Sequence, residues 1–513
     1  MKNKIIPFIV LFLMLGMMGA GINSGSVQGV NRDEGFHFSV YKFHYKVRIN
    51  NDKGLKKFVE KNGFSGRGTE ESPYVISINI SNSPSGIYIG NTSSYFILKN
   101  SKFSNFRKDW YGEMGIVLNN MKNAEIQNIS SCNYNKDTLL TLIYIINSSN
   151  IKISHIYFYD SYLNGAELWI YHSSHISAWD LTGMHMKFDF WASYSDNISI
   201  SYSYFNSHVG LVGYSENITI KQIRFLGSGL NVIGSYNVWV ENNTFSGRAS
   251  GVSNIGSDYV LVKNNRFFYN RDGIYIKGLN SPVHNNQITG NLFAYSEEYG
   301  IELSGDGSNY IWGNIFLNST AKDGGYTPGD FYWNYTYAPY SFWNSSSIGN
   351  YWDNWANKNN TNDKNHDGIV DYPYKIPGHA HAVDYYPLKK IPFNYSLPPS
   401  SPRNLTIKDI NGHFKLSWKV PRYRGDGILE YRIYRDGKLI AEVGSNFTTY
   451  TDNISDGKEH VYWVSAVGPG GESAMSNEVR VLSMHLNYAY VVIPIGIVVI
   501  FIVGVFIWKK KVV

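Results

Sequence analysis

Between residues 98 and 316 one unit recurs: an aliphatic residue, four intervening positions, then Phe. The pairs are Leu98/Phe103, Ile153/Phe158, Ile200/Phe205, Ile220/Phe225, Val240/Phe245, Val262/Phe267, Ile288/Phe293 and Ile311/Phe316. Ile126/Ser131 and Ala178/Gly183 keep the spacing but lose the ring. The first members stand at 98, 126, 153, 178, 200, 220, 240, 262, 288 and 311, so the period runs from 20 to 28 residues. Such a period marks a solenoid, whose turns bury their apolar faces only against one another. Within each unit apolar and polar residues alternate, as in Ile198-Ser199-Ile200 and Val238-Trp239-Val240. A two-residue period means strands with one face inward. A second short strand precedes each, often opened by Gly, as in Gly273-Ile274-Tyr275-Ile276. Asn, Ser and Gly crowd the corners, where they suit tight or left-handed bends.

These features predict an all-β chain: a parallel β-helix over 76–320. A cap at 45–75 precedes it and an exit segment at 321–392 follows. The ends point to a membrane. Lys2 and Lys4, an apolar run from Ile5 to Met18 and the small residues Gly19, Ala20 and Gly21 read as a signal peptide over 1–22, or as an N-terminal anchor. Residues 488–508 carry no charge and end at Lys509, Lys510 and Lys511, which predicts a transmembrane helix with a cytoplasmic tail at 509–513. The bulk of the chain is then extracellular and the protein single-pass.

Composition adds exclusions. Charged residues are 17% and the net charge is +6, without a basic stripe, so nucleic acid is not an expected partner. One cysteine, Cys132, rules out an intramolecular disulfide framework and reads as a small apolar residue. Asn-x-Ser/Thr acceptors are dense, and Asn197, Asn217, Asn242 and Asn318 fall at predicted corners where a glycan would stand clear of the surface.

The approach to the solenoid reads Gly63-Phe64-Ser65-Gly66-Arg67-Gly68-Thr69. The exit reads Gly349-Asn350-Tyr351-Trp352-Asp353, then Asp363-Lys364-Asn365-His366-Asp367-Gly368, then Val383-Asp384-Tyr385-Tyr386-Pro387. These stretches resemble NosD-like β-helix proteins, also described as carbohydrate-binding and sugar-hydrolase repeat domains and abundant among archaeal surface proteins. The resemblance spans 45–390 and implies export and a right-handed, single-stranded, pectin-lyase-like β-helix, without fixing an activity. After the linker Leu397-Pro398-Pro399-Ser400-Ser401-Pro402, residues 398–483 resemble a fibronectin type III sandwich, with Trp418 on an early strand and Tyr462 on a late one. This module reads as a spacer between β-helix and bilayer.

Three chemistries are candidates. Stacked coils would set Tyr144, Trp169 and Trp191 in one outward row, with Tyr275 further along, as a carbohydrate-binding ridge. Asp363, Asn365 and Asp367 before Gly368 have the spacing of a calcium loop. The carbonyl of Ile369 and the carboxylates of Asp371 and Asp384 would complete a structural Ca2+ site. Glycoside hydrolysis or lyase chemistry needs converging carboxylates, and Asp180, Asp189, Glu302 and Asp306 are weak catalytic candidates. Copper is disfavoured, resting on His185 between Met184 and Met186 and on the copper-linked members that the resemblance implies. The expected function is a cell-surface glycoprotein binding polysaccharide or serving as an envelope or adhesion component. The alternatives are an extracellular polysaccharide hydrolase or lyase, and a copper-handling protein.

Overall fold

The aliphatic and Phe positions of the repeat become two vertical columns. Leu98, Ile126, Ile153, Ala178, Ile200, Ile220, Val240, Val262, Ile288 and Ile311 pair in register from coil to coil. The second column runs Ile80, Phe103, Ser131, Phe158, Gly183, Phe205, Phe225, Phe245, Phe267, Phe293, Phe316 and Trp352. From Phe225 to Trp352 its rings stack face to face, with centroids 4.8 Å apart at Phe225–Phe245 and 4.0 Å at Phe316–Trp352. Each fully buried Phe contributes about 1.5–3 kcal/mol.

The computed structural model describes residues 45–104, 106, 113–133, 140–160, 166–184, 188–206, 209–227, 229–247, 249–278, 283–304, 307–324, 341–356, 363–410 and 413–483. The leader at 1–22, the candidate span at 488–508 and the tail at 509–513 lie outside these. Among the described residues no helix is long and apolar enough to cross a membrane.

One face of the solenoid is a twelve-stranded parallel sheet, from Tyr45–Ile49 through Ala166–Tyr171 and Asp272–Lys277 to Ala321–Asp323. Coiling therefore starts inside the stretch expected to be only a cap. That stretch also holds the helix Asp52–Lys61, whose N-cap Asn51 accepts from the Gly54 N–H and whose Leu55 and Val59 are buried. The remaining faces are a second parallel stack of shorter strands, such as Asp196–Ser201 and Tyr204–Asn206. Corner residues repeat a left-handed conformation: Asn128, His155, Asp180, Tyr202, Gln222 and Asn242 have φ of 49–56°. Asn is frequent there because its side chain offsets the cost locally.

Buried polar groups at the bends are satisfied by ladders. Ser148, Ser173, Ser195, Ser215, Ser235 and Ser257 form one; each backbone N–H donates to the next hydroxyl at 3.0–3.2 Å. Asn243, Asn265, Asn291, Asn314 and Asn350 form another, each Nδ2 donating to the next Oδ1 at 2.9–3.1 Å. Asp384 terminates this ladder. Its Oδ2 accepts from Asn350 N at 2.8 Å and Trp352 Nε1 at 2.9 Å, and its Oδ1 accepts from Tyr386 N at 3.1 Å.

Residues Arg403–Leu482 form two antiparallel sheets around Leu416, Trp418, Tyr431, Ile433, Tyr462 and Val464. Trp418 and Tyr462 are core residues, as their positions predict. The spacer expectation needs correction, because the sandwich packs on the flank of the solenoid. Tyr159 and Met184 from the coils are buried with Tyr434, Val461 and Trp463 from the sandwich. Arg224 Nη2 donates to the Glu472 carbonyl at 3.3 Å, and Tyr269 Oη donates to the Pro398 carbonyl at 2.7 Å. Large aromatic side chains on outward positions supply the apolar area for this contact.

Candidate functional site

Alternate residues of the long sheet point outward, and the register lines them up. The column runs Tyr88, Val117, Tyr144, Trp169, Trp191, Leu211, Asn231, Ser253, Tyr275, Glu302 and Lys322. The expected row of Tyr144, Trp169 and Trp191 therefore exists as a row. Its geometry differs from a ridge. Trp169 and Trp191 stack at 4.9 Å and 11°, and Tyr144 lies 4.9 Å from Trp169. Strands about 4.8 Å apart bring neighbouring rings to van der Waals distance along the axis. The faces are thus turned on one another, and Tyr144 is only 1% exposed. A pyranose needs an open ring face, which these stacked rings do not offer. A second aromatic pile missed from the sequence, His172, Tyr194 and Tyr214, occupies a corner in the same face-to-face manner.

The column changes character towards its C-terminal end. Tyr275, Glu302 and Lys322 occupy successive strands and are each partly exposed. Lys322 Nζ donates to Glu302 Oε1 at 2.7 Å and lies 5.5 Å from the Tyr299 ring centroid. The bond to Glu302 raises the Lys322 ammonium above its ordinary value. Burial, followed by the Glu302 charge, pushes the Tyr275 phenol up. Beside them Asp272 is buried, and its Oδ2 accepts from Arg271 Nε at 3.0 Å and Ser250 Oγ at 3.2 Å. Burial pushes the Asp272 carboxyl above the ordinary carboxylate value, against the pull of Arg271. Asp272, Glu298 and Glu302 bring one ligand oxygen each within 4.8 Å of the others, the one such group of three among the described residues. Sequence reading found Glu302 alone, because Asp272 and Glu298 come from a strand start and the turn before the next strand.

The other candidates separate. Asp180 sits exposed at a corner, 3.5 Å from His155 Nε2. Asp189 is completely buried beside Glu167 within the coil, so it faces no external groove. Together Asp180, Asp189 and Glu302 form no catalytic cluster, and Asp306 lies outside the described residues. The same is true of His185 and Met186, while Met184 is spent on packing against the sandwich.

In the 363–371 loop Asp363 accepts from the Asp367 and Gly368 N–H groups at 3.0 Å each, and Asp367 Oδ1 accepts from Ile369 N at 2.9 Å. Asn365 and Asp371 join the same turn, with Asn365 Nδ2 donating to Asp367 Oδ2 and Lys364 N to Asp371 Oδ2. These side-chain oxygens thus bond to N–H groups of the loop itself. Asp384 does not fit the expected ligand set, since the Asn ladder and Trp352 take up its oxygens. Burial raises its pKa to about 6, with those N–H donors opposing. Asn197, Asn242 and Asn318 are exposed and Asn217 half-buried.

Residues 146–356 match the family described as periplasmic copper-binding protein (NosD). No curated protein matches the chain. Among solved structures the chain is similar to a double mutant of the periplasmic alginate epimerase AlgG, at 14% identity over 59% of this chain and 76% of that one, with TM-score 0.38. It is also similar to the A-module of the Azotobacter vinelandii mannuronan C-5 epimerase AlgE6, at 13% identity over 54% and 88%, with TM-score 0.37. The Clostridium perfringens spore cortex lytic enzyme SleM shares 15% identity over 17% of this chain, with TM-score 0.15, and the chain spans 29% of SleM's length. With that family match and these stacked coils, residues 146–356 belong to a NosD-like parallel β-helix.

Proposed function

We propose that this protein is a membrane-anchored cell-surface glycoprotein whose long sheet binds an extracellular or cell-surface polysaccharide. The observation that carries this reading is the polar and aromatic end of the outward column. There Tyr275, Tyr299, Glu302, Lys322 and Arg271 present hydrogen-bonding groups beside half-exposed rings. A rigid sheet holds these groups in place, so little order is lost when a polymer settles on it. The binding site thus moves from Tyr144, Trp169 and Trp191 to the Tyr275 end. Export and anchoring rest on the apolar runs at 1–22 and 488–508, and glycosylation on the exposed corner acceptors. The sandwich is proposed as a fibronectin type III module, and the 363–371 loop as a structural calcium loop.

A second reading, an extracellular polysaccharide hydrolase or lyase, is favoured by one feature. A carboxyl raised by burial, Asp272, stands beside Glu302 and Lys322, giving an acid next to a base. The copper reading draws only on the family description. Full-length protein in micelles, run against neutral and uronate polysaccharides by affinity electrophoresis, tests these readings. Retardation lost in Tyr299→Ala and Tyr275→Ala but kept in Trp191→Ala supports binding at this end. Retardation unchanged in both tyrosine variants removes the proposal. New reducing ends or unsaturated products, abolished by Glu302→Gln, would favour the enzyme.

A further inference from the structure

We propose that Asp272, Glu298 and Glu302 form a binding site for a hard divalent cation of the calcium class on the outer face of the long sheet. The ligand oxygens of the three lie within 4.8 Å of one another, close enough for a single ion to touch all three. The independent observation is the state of Asp272. Its side chain is 1% exposed, and its Oδ1 is buried without a hydrogen-bond donor among the described residues. A carboxylate oxygen removed from water and given no partner is costly, and a cation is what compensates it. Its other oxygen is already engaged by Arg271 and Ser250.

The charges around the cluster leave room for such an ion. Arg271 pairs with Asp272 and Lys322 with Glu302, whereas the exposed Glu298 makes no ion pair among the described residues. Three carboxylates thus face two cationic side chains, and the Lys322 ammonium competes with an incoming ion for the Glu302 carboxylate. The donors are all carboxylates, which suit calcium; thiolate, thioether and imidazole donors suit copper. Tyr275 and Tyr299 stand beside Glu302 and Lys322, within range to sensitise a bound lanthanide. This inference is independent of polysaccharide binding and stands if that reading fails.

The test is titration of the full-length chain in detergent with Tb3+ alone, excited through tyrosine, followed by displacement with Ca2+ alone. The expected result is sensitised emission that calcium displaces. Glu298→Gln, at an exposed position that folding tolerates, weakens binding by about tenfold or more, as loss of a charged ligand does. Lys322→Gln tightens it by removing the competing ammonium. The paired substitution Asp363→Asn with Asp367→Asn in the exit loop leaves this emission unchanged. Absence of displaceable emission, equal affinity in Glu298→Gln and wild type, or emission lost only with the loop substitutions would each overturn the proposal.

Discussion

Glu167 and Gly183 complement each other across the interior of one coil. Gly183 stands in the Phe column without a ring, and Glu167 Oε2 lies 2.7 Å from where a Cβ on Gly183 would sit. In later coils the arrangement is reversed. Gly251, Gly273 and Gly300, one residue before Val252, Ile274 and Ile301, make room for the rings of Phe267, Phe293 and Phe316. The carboxylate thus occupies the volume that a phenylalanine fills elsewhere.

Restoring the ring alone is expected to fail. Gly183→Phe drives an aromatic side chain into the Glu167 carboxyl, and overpacking of this kind costs about 1–3 kcal/mol. Combining Gly183→Phe with Glu167→Gly rebuilds the arrangement of the later coils and recovers the loss. Urea unfolding of the two single variants and the double variant measures the coupling. Additive effects would mean the two sites do not share one volume.

Glu167 also makes stability depend on pH. It is fully buried, with neither oxygen hydrogen-bonded among the described residues, and burial followed by the Asp189 charge raises its pKa well above the ordinary value. A folded pKa above the unfolded one means that the folded state holds the proton more tightly. This contribution is therefore complete below the ordinary carboxylate range and is lost as pH rises through the folded value. Glu167→Gln, neutral at every pH, is expected to raise the melting temperature at neutral pH and to flatten its decline from acid. A slope identical to wild type between pH 4 and pH 8 would show that Glu167 is not the titrating group.

The repeat made the columns legible, because a missing ring at Ser131 or Gly183 still keeps its place in the count. What replaces the ring was not legible, since Glu167 precedes Gly183 by most of a coil and looks like a solvent-facing charge. The direction of the Tyr144, Trp169 and Trp191 rings was hidden for another reason. Sequence places side chains on a face, but coil spacing decides whether rings open outward or close on each other. Asp272 and Glu298 were invisible as partners because a stretch of variable length separates the strand start that holds Asp272 from the turn that holds Glu298. Tyr159, buried under the sandwich side, and Tyr204, half-buried there, alternate along their strands as any outward residue does.

Asp384 gives the exit segment its own titration. Its pKa of about 6, against an ordinary aspartate value of 3.8, is a net result of burial outweighing four N–H contacts. Sign and window follow: stability from this group is full below about pH 4 and declines up to about pH 6, then stays level. Asp384→Asn should remove that step. Hydrogen exchange at Asn350 and Trp352, whose N–H groups bond to the carboxylate, reports it locally. A step that persists in the variant assigns it to another group.

The contact between solenoid and sandwich should be separable from the stability of either part. Tyr159 and Trp463 meet edge to face at 6.3 Å and 80°, with Met184, Tyr434 and Val461 closing the cluster. Gly437 approaches the same patch with φ of 74°, and a Cβ there would fall 2.6 Å from the Tyr159 ring. Gly437→Val therefore suffers both a strained backbone and a clash, at a turn that the sandwich core does not include. Tyr159→Ala removes the contact from the solenoid side without touching the sandwich. Both variants are expected to increase proteolytic cleavage in the linker around Pro398–Pro402 and to enlarge the radius measured by small-angle scattering. Trp463→Ala, at 7% exposure, loses packing worth about 3–5 kcal/mol and loosens the sandwich as well. If Tyr159→Ala and Gly437→Val leave the linker as resistant as wild type, the hydrogen bonds from Arg224 and Tyr269, rather than this aromatic cluster, hold the sandwich to the coils.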